Sequence, residues 1–296
     1  MTFNVRKLSR QLLASVFLTT SLFTQTASAQ ENSETPRSLC QAIAENEWQR
    51  GWPGEVPVIK ANLQLANTLS PHDVSITYVG HSTFRIEDAK GLTIATDYAG
   101  FAGAGVVPDV VTMNHAHVTH YTIAPDPAIP HVLKGWGSEG KPARHFLQVG
   151  DAVIRNVTTN IDNHWVGFER DGNSIFIFEM AGLCIGHLGH LHHLPTDNHY
   201  AQIGRLDILM VPVDGGYTMN VEDMSKVVSR LNSSLILPMH WFGSFSLNNF
   251  TTMIADKFPV EFKSESRIVV SLNTLPQSPR IVVLQPESVS FGNPDD

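Results

Sequence analysis

The sequence predicts an α+β fold in which two sheets are sandwiched between helices. Three observations lead there. Short strand patterns fall into two series, residues 74–113 and residues 145–284, separated by a long irregular segment. Amphipathic helical patterns sit near the later strands, an order that suits two sheets with outer helices. Histidines recur just after apolar strands, as expected where strand ends present side chains to a common site.

The first 29 residues stand apart from this fold. Arg6, Lys7 and Arg10 form a positive start, Leu12 to Phe23 an apolar run, and Ala27-Ser28-Ala29 a small-residue cleavage site. This pattern is that of a secretory signal peptide cut after Ala29. The apolar run is too short and too rich in Ser and Thr for a span of about 18 residues. Gln30 follows the cut where a lipoprotein would have cysteine. The chain is therefore expected in the periplasm or outside the cell, without a membrane anchor. Residues 30–72 read as an N-terminal extension that packs on the main domain, residues 73–296. Within the extension, Leu39, Ile43 and Trp48 predict a helix over 38–50 capped by Ser38. A turn follows at Gly51-Trp-Pro-Gly54, then a short helix over 62–69.

The main domain opens with strands at Val74–Val79, Thr83–Glu87 and Leu92–Thr96, a meander with a turn at Asp88–Gly91. After a Gly/Ala-rich loop comes a buried strand, Val110–Met113. Residues 121–141 read as irregular, with Pro125, Pro127, Pro130 and Gly135-Trp-Gly137; loops of this length commonly cover a site. Later strands are expected at 145–147, 152–158, 174–179, 183–186, 207–213, 235–239, 267–272 and 280–284. Val221, Met224, Val227, Val228 and Leu231 share one face of a helix. A second helix is expected over 247–258.

Charge narrows the partners. The formal net charge is -8, and losing the three cations of the signal peptide takes it to -11. With no Lys/Arg cluster, nucleic acid is not an expected partner, and a small-molecule substrate is. The sequence carries no signal for oligomeric state. Its two cysteines, Cys40 and Cys184, read either as a disulfide, which export permits, or as buried thiols.

The chemistry lies in the histidines. His115, His117 and His120 follow the strand 110–113; His164 follows Thr159-Asn-Ile-Asp-Asn; His187 and His190 follow Cys184-Ile-Gly; His240 follows Leu237-Pro-Met. Imidazoles gathered from several strand ends suit a transition metal such as Zn, Fe, Cu or Ni. His115 and His117, two apart, are expected to point the same way in extended chain. Asp214 and Tyr217, in a Gly-rich loop after a buried strand, are candidates for proton donor or substrate contact. Asp97 is a candidate for orienting an imidazole. His81 reads as a structural residue of the opening turn. No G-x-S-x-G elbow, P-loop or dinucleotide fingerprint competes.

These motifs resemble the metallo-β-lactamase fold superfamily, most closely its branch of ascorbate-6-phosphate lactonase and N-acyl-phosphatidylethanolamine phospholipase D. The likeness covers about residues 74–288. It rests on Tyr78-Val-Gly-His81-Ser-Thr-Phe84, Leu92-Thr-Ile-Ala-Thr-Asp97, His115-Ala-His117-Val-Thr119-His120, Asp207 to Tyr217, and Leu237-Pro-Met-His240. The resemblance implies an αββα four-layer sandwich with metal between the sheet edges. It implies His115, His117 and His164 at a first metal, and His120 and His240 at a second. Two family carboxylates are replaced, by Thr119 in H-x-H-x-D-H and by His190 in the later Gly-Asp motif. A neutral hydroxyl and an imidazole offset less charge between two dications. One well-held divalent metal is therefore expected, zinc first, with iron, manganese and copper as alternatives. His190 or His240 is the expected fourth ligand. A second metal on His120, His190 and His240 is the other arrangement. The expected activity is hydrolysis of an ester, lactone, amide or phosphodiester. The rival readings are a redox or lyase reaction at an all-His metal, or a non-catalytic metal-binding relative.

Overall fold

The computed structural model describes residues 38–41, 69–163 and 167–287. The expected signal peptide, most of the N-terminal extension and the candidate ligand His164 lie outside the described residues.

Two sheets form the body. Strands β1 (Val74–Gly80), β2 (Thr83–Asp88), β3 (Thr93–Ala95), β4 (Val110–Met113) and β5 (His131–Lys134) lie side by side in that order. The later strand β13 (Arg267–Val270) pairs antiparallel with β1 and completes a six-stranded sheet. The second sheet begins at one edge with β6 (Phe146–Val149), β7 (Ala152–Asn163), β8 (Gly167–Met180) and β9 (Leu183–His187). It continues through β10 (Ile208–Pro212), β11 (Leu235–Met239), β14 (Arg280–Val283) and β12 (Val260–Phe262) to make eight strands. From β9 to β12 every pairing is parallel.

Strand periodicity sets the layers. Val74, Ile76 and Tyr78 of β1, with Phe84 and Ile86 of β2, face Phe176, Phe178, Ile185, Ile208, Met210, Leu235 and Leu237 across the inter-sheet core. The alternate residues Ile175, Ile177, Leu209, Val211 and Ile236 point out to the helices. All five residues of β10 and of β11 are buried, because a parallel strand covered on both faces has no solvent side.

The helices α1 (Asp197–Ile203), α2 (Val221–Leu231) and α3 (Ser244–Ile254) place apolar residues on the outer face of the eight-stranded sheet. Helix α2 has the expected limits. Asn220 caps it by accepting from the Asp223 backbone N–H at 2.9 Å, and Asn232 ends it in the left-handed region, φ 49°. Helix α3 runs three residues earlier than expected and stops at Ile254. Helix α1 was not expected; its seven residues bury only Ile203, too little for a periodic signal. Strand β5 lies inside the segment read as irregular, held by parallel pairing to β4 rather than by a pattern of its own. Across the six-stranded sheet, Ala95, Tyr98, Ala102, Val111, Met113 and Ile129 form a smaller outer cluster to which the loops after β3 and β4 contribute.

Residues 38–41 are fastened to this body. Cys40 and Cys184 form a disulfide, which decides the cysteine question left open by the sequence. Beside it, Glu179 accepts from the Ser38 hydroxyl at 2.5 Å and the Leu39 backbone N–H at 2.8 Å. Arg155 donates to Glu179 at 2.7 Å and to the carbonyls of Gln202 and Ile203. Such a buried ion pair is tolerable because its donors and acceptors are satisfied.

Candidate metal centre

Six strands deliver the site at their carboxyl ends. His81 follows β1, Asp97 follows β3, and His115 to His120 follow β4; from the other sheet His190 follows β9, Asp214 follows β10 and His240 follows β11. The backbone turns sharply at three of these exits. His81, Asp97 and His240 have φ of 53°, 42° and 56°. Each such conformation costs on the order of 1–3 kcal/mol and persists where its surroundings enforce it. Here the His240 N–H donates to the His81 carbonyl at 2.7 Å, and the Tyr78 hydroxyl donates to the same carbonyl at 2.9 Å. Gly189, φ 60°, serves the turn before His190: a Cβ there would lie 2.4 Å from both Asn114 Nδ2 and Asn173 Oδ1.

Five imidazoles converge. His117 Nε2 lies 3.1 Å from His190 Nε2, and His120 Nε2 lies 3.1 Å from His240 Nε2. The rings of His117 and His120 are 4.5 Å apart, and those of His190 and His240 are 4.9 Å apart. His81 joins them, its ring 4.2 Å from that of His240. One nitrogen from each of His81, His117, His120 and His240 falls within 4.8 Å of the others.

The opposite nitrogens are held from behind. Asp97 Oδ2 accepts from His120 Nδ1 at 2.6 Å, and Asp214 Oδ1 from His240 Nδ1 at 2.9 Å. Each carboxylate thereby fixes the tautomer whose Nε2 carries a lone pair. His190 Nδ1 meets His192 Nε2 at 2.7 Å. The Thr119 hydroxyl stands between His117 Nδ1 at 2.6 Å and His81 Nε2 at 2.8 Å. Having one proton, it donates to one ring and accepts from the other. His187, also buried, spends both nitrogens on the Ser82 carbonyl and the Gly189 N–H.

Electrostatics match this geometry. Burial, then the neighbouring imidazoles, pulls His120 and His190 well below the ordinary histidine value and His81 to about 3. Burial also lowers His117. These rings are therefore neutral near pH 7, with lone pairs available. Burial pushes Asp97 up to about 6, against the pull of nearby histidines and the Asn114 side chain. For Asp214 burial acts upward too, but His240, Thr218 and the Gly216 N–H outweigh it and hold the carboxyl well below the carboxylate range.

The donor set fits a transition metal. Two lone pairs aimed at each other across 3.1 Å repel unless a cation lies between them. Tetrahedral zinc with Zn–N of about 2.0–2.1 Å sets its ligand nitrogens about 3.3 Å apart.

Of the residues expected from sequence, the structure brings His117, His120, His190 and His240 together. It turns His115 away: Nδ1 faces both oxygens of Glu169, at 2.8 and 3.0 Å, and the ring stacks on Trp136 at 4.9 Å. Strand β4 ends at Met113, so the alternation that would align His115 with His117 no longer applies. Asp214 sits behind His240 rather than facing the cluster. Its Oδ2 also accepts from the N–H groups of Gly216, Tyr217 and Thr218. Tyr217 is at the rim, half exposed, with its ring against Phe242. Sequence reasoning missed His81 and the part played by Thr119. The signal for His81 was present, since it ends an apolar strand just as His240 does.

Asp214 offers a direct check. Asn in its place would aim an NH2 group either at the loop N–H groups or at His240 Nδ1–H. Asp214→Asn is expected to weaken metal binding about 10- to 100-fold in competition with a chelator. Unchanged affinity would mean that Asp214 does not set the orientation of a metal ligand.

The comparisons agree with this architecture. The profile of the family described as "Beta-lactamase superfamily domain" matches residues 75–240. A UPF0173 metal-dependent hydrolase of Methanoculleus marisnigri is 24% identical over 180 residues, covering 56% of this chain and 80% of that protein. One from Pyrococcus furiosus is 25% identical over 213 residues, covering 64% and 91%. A solved structure from Thermotoga maritima, assigned as a Zn-dependent hydrolase of the metallo-beta-lactamase superfamily, superposes with a TM-score of 0.52 at 28% identity. That match covers 71% of this chain and 98% of the Thermotoga chain. With two β-sheets meeting at a histidine cluster and the family profile spanning more than half its length, the chain belongs to the beta-lactamase superfamily.

Proposed function

We propose that this chain is an exported metal-dependent hydrolase acting on an ester, lactone, amide or phosphodiester bond of a small molecule. The observation that carries the reading is the pair of Nε2–Nε2 approaches at 3.1 Å, each ring held from behind through Nδ1. His117, His120 and His240 would hold one metal, with His81 or His190 as the fourth ligand. Zinc suits the donors, and a bound metal of this kind supplies Lewis acidity and an activated water. The names of the relatives in Methanoculleus and Pyrococcus support hydrolysis.

The chain's own residues then have separate tasks. Asp97 and Asp214 keep two imidazoles in the metal-facing tautomer. Asp214, with both oxygens occupied and its carboxyl held ionised, serves His240 instead of donating a proton. Thr119 links His81 to His117. Tyr217 is left as the substrate contact at the rim. Export is supported by the Cys40–Cys184 bond, since disulfides persist in oxidising compartments.

Among the described residues the converging donors are all imidazoles, which favours one other reading, a redox or lyase reaction, because such sites also suit iron and copper. Metal analysis of protein purified from its native compartment, followed by an activity screen, separates the two. About one zinc per chain with esterase or lactonase turnover is the expected result. Stoichiometric iron or copper with oxygen consumption would replace it with the redox reading. Protein that holds no metal would overturn both.

A further inference from the structure

An aromatic wall runs away from the cluster on one side. The Phe242 ring lies 5.1 Å from that of His240 and 5.4 Å from that of His81. The Tyr217 ring meets Phe242 edge to face at 5.6 Å and 70°. Both are open to solvent, Phe242 at 61% and Tyr217 at 51%. Single exposed aromatics are ordinary on protein surfaces. These two are contiguous with each other and with metal-facing imidazoles.

The loop that carries Tyr217 is tied to the cluster through Asp214. Asp214 accepts from the Tyr217 backbone N–H at 2.5 Å and from His240 Nδ1 at 2.9 Å. Phe242 follows His240 by two residues. One buried carboxylate therefore positions the loop that carries Tyr217 and the imidazole beside Phe242. Apolar surface next to a reactive centre is where a substrate's apolar part finds a surface complementary to it.

We propose that Phe242 and Tyr217 form a subsite for an unbranched apolar chain attached to the group that meets the imidazole cluster. This rests on the hydrolase reading for the nature of that group, and it makes the substrate class amphiphilic: a polar hydrolysable head with an alkyl or acyl tail. Each methylene laid against the rings is expected to tighten binding about two- to fourfold.

Calorimetry with the zinc-loaded full chain and the carboxylate series acetate, butanoate, hexanoate and octanoate tests this without turnover. Affinity is expected to rise with chain length in the unaltered protein. The rise should flatten in Phe242→Ser and in Tyr217→Ser and return in Phe242→Leu, which restores apolar surface without the ring. Affinity independent of length, or a rise unchanged in both serine variants, would overturn the subsite. A parallel assay of p-nitrophenyl esters separates the two readings. Length-dependent binding with no ester hydrolysis would keep the subsite and remove the ester from the candidate substrates. Hydrolysis with no length dependence in binding would do the reverse.

Discussion

The double variant Cys40→Ala/Cys184→Ala is expected to lose about 2–5 kcal/mol of stability, which for a chain of this size lowers the melting temperature by roughly 5–20 °C. The bond joins residues 144 positions apart. Closing so long a loop removes much of the freedom of the unfolded chain, and the chain-entropy relation puts the effect near the top of that range, about 5 kcal/mol. The folded side matters as well. Without the bond, Ser38 to Cys40 rest on Glu179 through three hydrogen bonds, one of them long at 3.4 Å. If those residues leave, Glu179 keeps Arg155 as a partner, so the buried pair survives. The expected signature is lower stability with metal affinity within about twofold of the parent. Thermal unfolding by circular dichroism measures the first and chelator competition the second. An unchanged melting temperature would show that the Cys40–Cys184 bond contributes nothing to stability.

Removing the Asp97 carboxylate is expected to have the largest effect on the metal centre. Asp97 is fully buried, with Oδ2 on His120 and Oδ1 accepting from Asn114 Nδ2 at 2.8 Å. Asp97→Ala leaves the Asn114 Nδ2 donor facing a void and His120 Nδ1 with only the Ser82 hydroxyl, and an unsatisfied buried group costs about 1–3 kcal/mol. Asp97→Asn keeps the volume but cannot accept on both sides. If its oxygen serves His120, its NH2 confronts the NH2 of Asn114. Metal affinity is expected to fall about 10- to 100-fold in Asp97→Asn. In Asp97→Ala the fall is compounded by loss of stability. Isothermal titration with zinc, paired with urea unfolding of the metal-free protein, separates the two contributions. Full zinc affinity in Asp97→Asn would show that His120 is oriented by Ser82, whose hydroxyl lies 3.0 Å from the same Nδ1.

Much of this site could be read from the chain, for a physical reason. Strand ends carry strong signals: an apolar run, then a histidine. That rule located His117, His120, His190 and His240 and the limits of β4 and β11, while an amphipathic face gave those of α2. It failed where geometry depends on what comes near in space. His115 belongs to the same motif, yet a carboxylate from β8 and the Trp136 ring claim it. Thr119 looked like a lost ligand and proved to be a link between two rings. His81 met the rule but was read as a turn residue, because its place at the cluster depends on contacts with the other sheet. Strand β5 and helix α1 are short and weakly patterned, and tertiary pairing rather than local sequence defines them.

Strand β9 ties these features together. Cys184 lies near its beginning and His187 is its last residue, with His190 three positions on. One short rod thus has an oxidised sulfur bond at one end and a cluster of metal-seeking imidazoles at the other. The two fastenings answer to different surroundings, one to redox poise and one to metal supply. A newly made chain can close neither in a reducing, chelating medium and both in an oxidising, metal-containing one. If the chain is exported and binds metal as proposed, this strand is fastened at both ends only where oxidant and metal are both present.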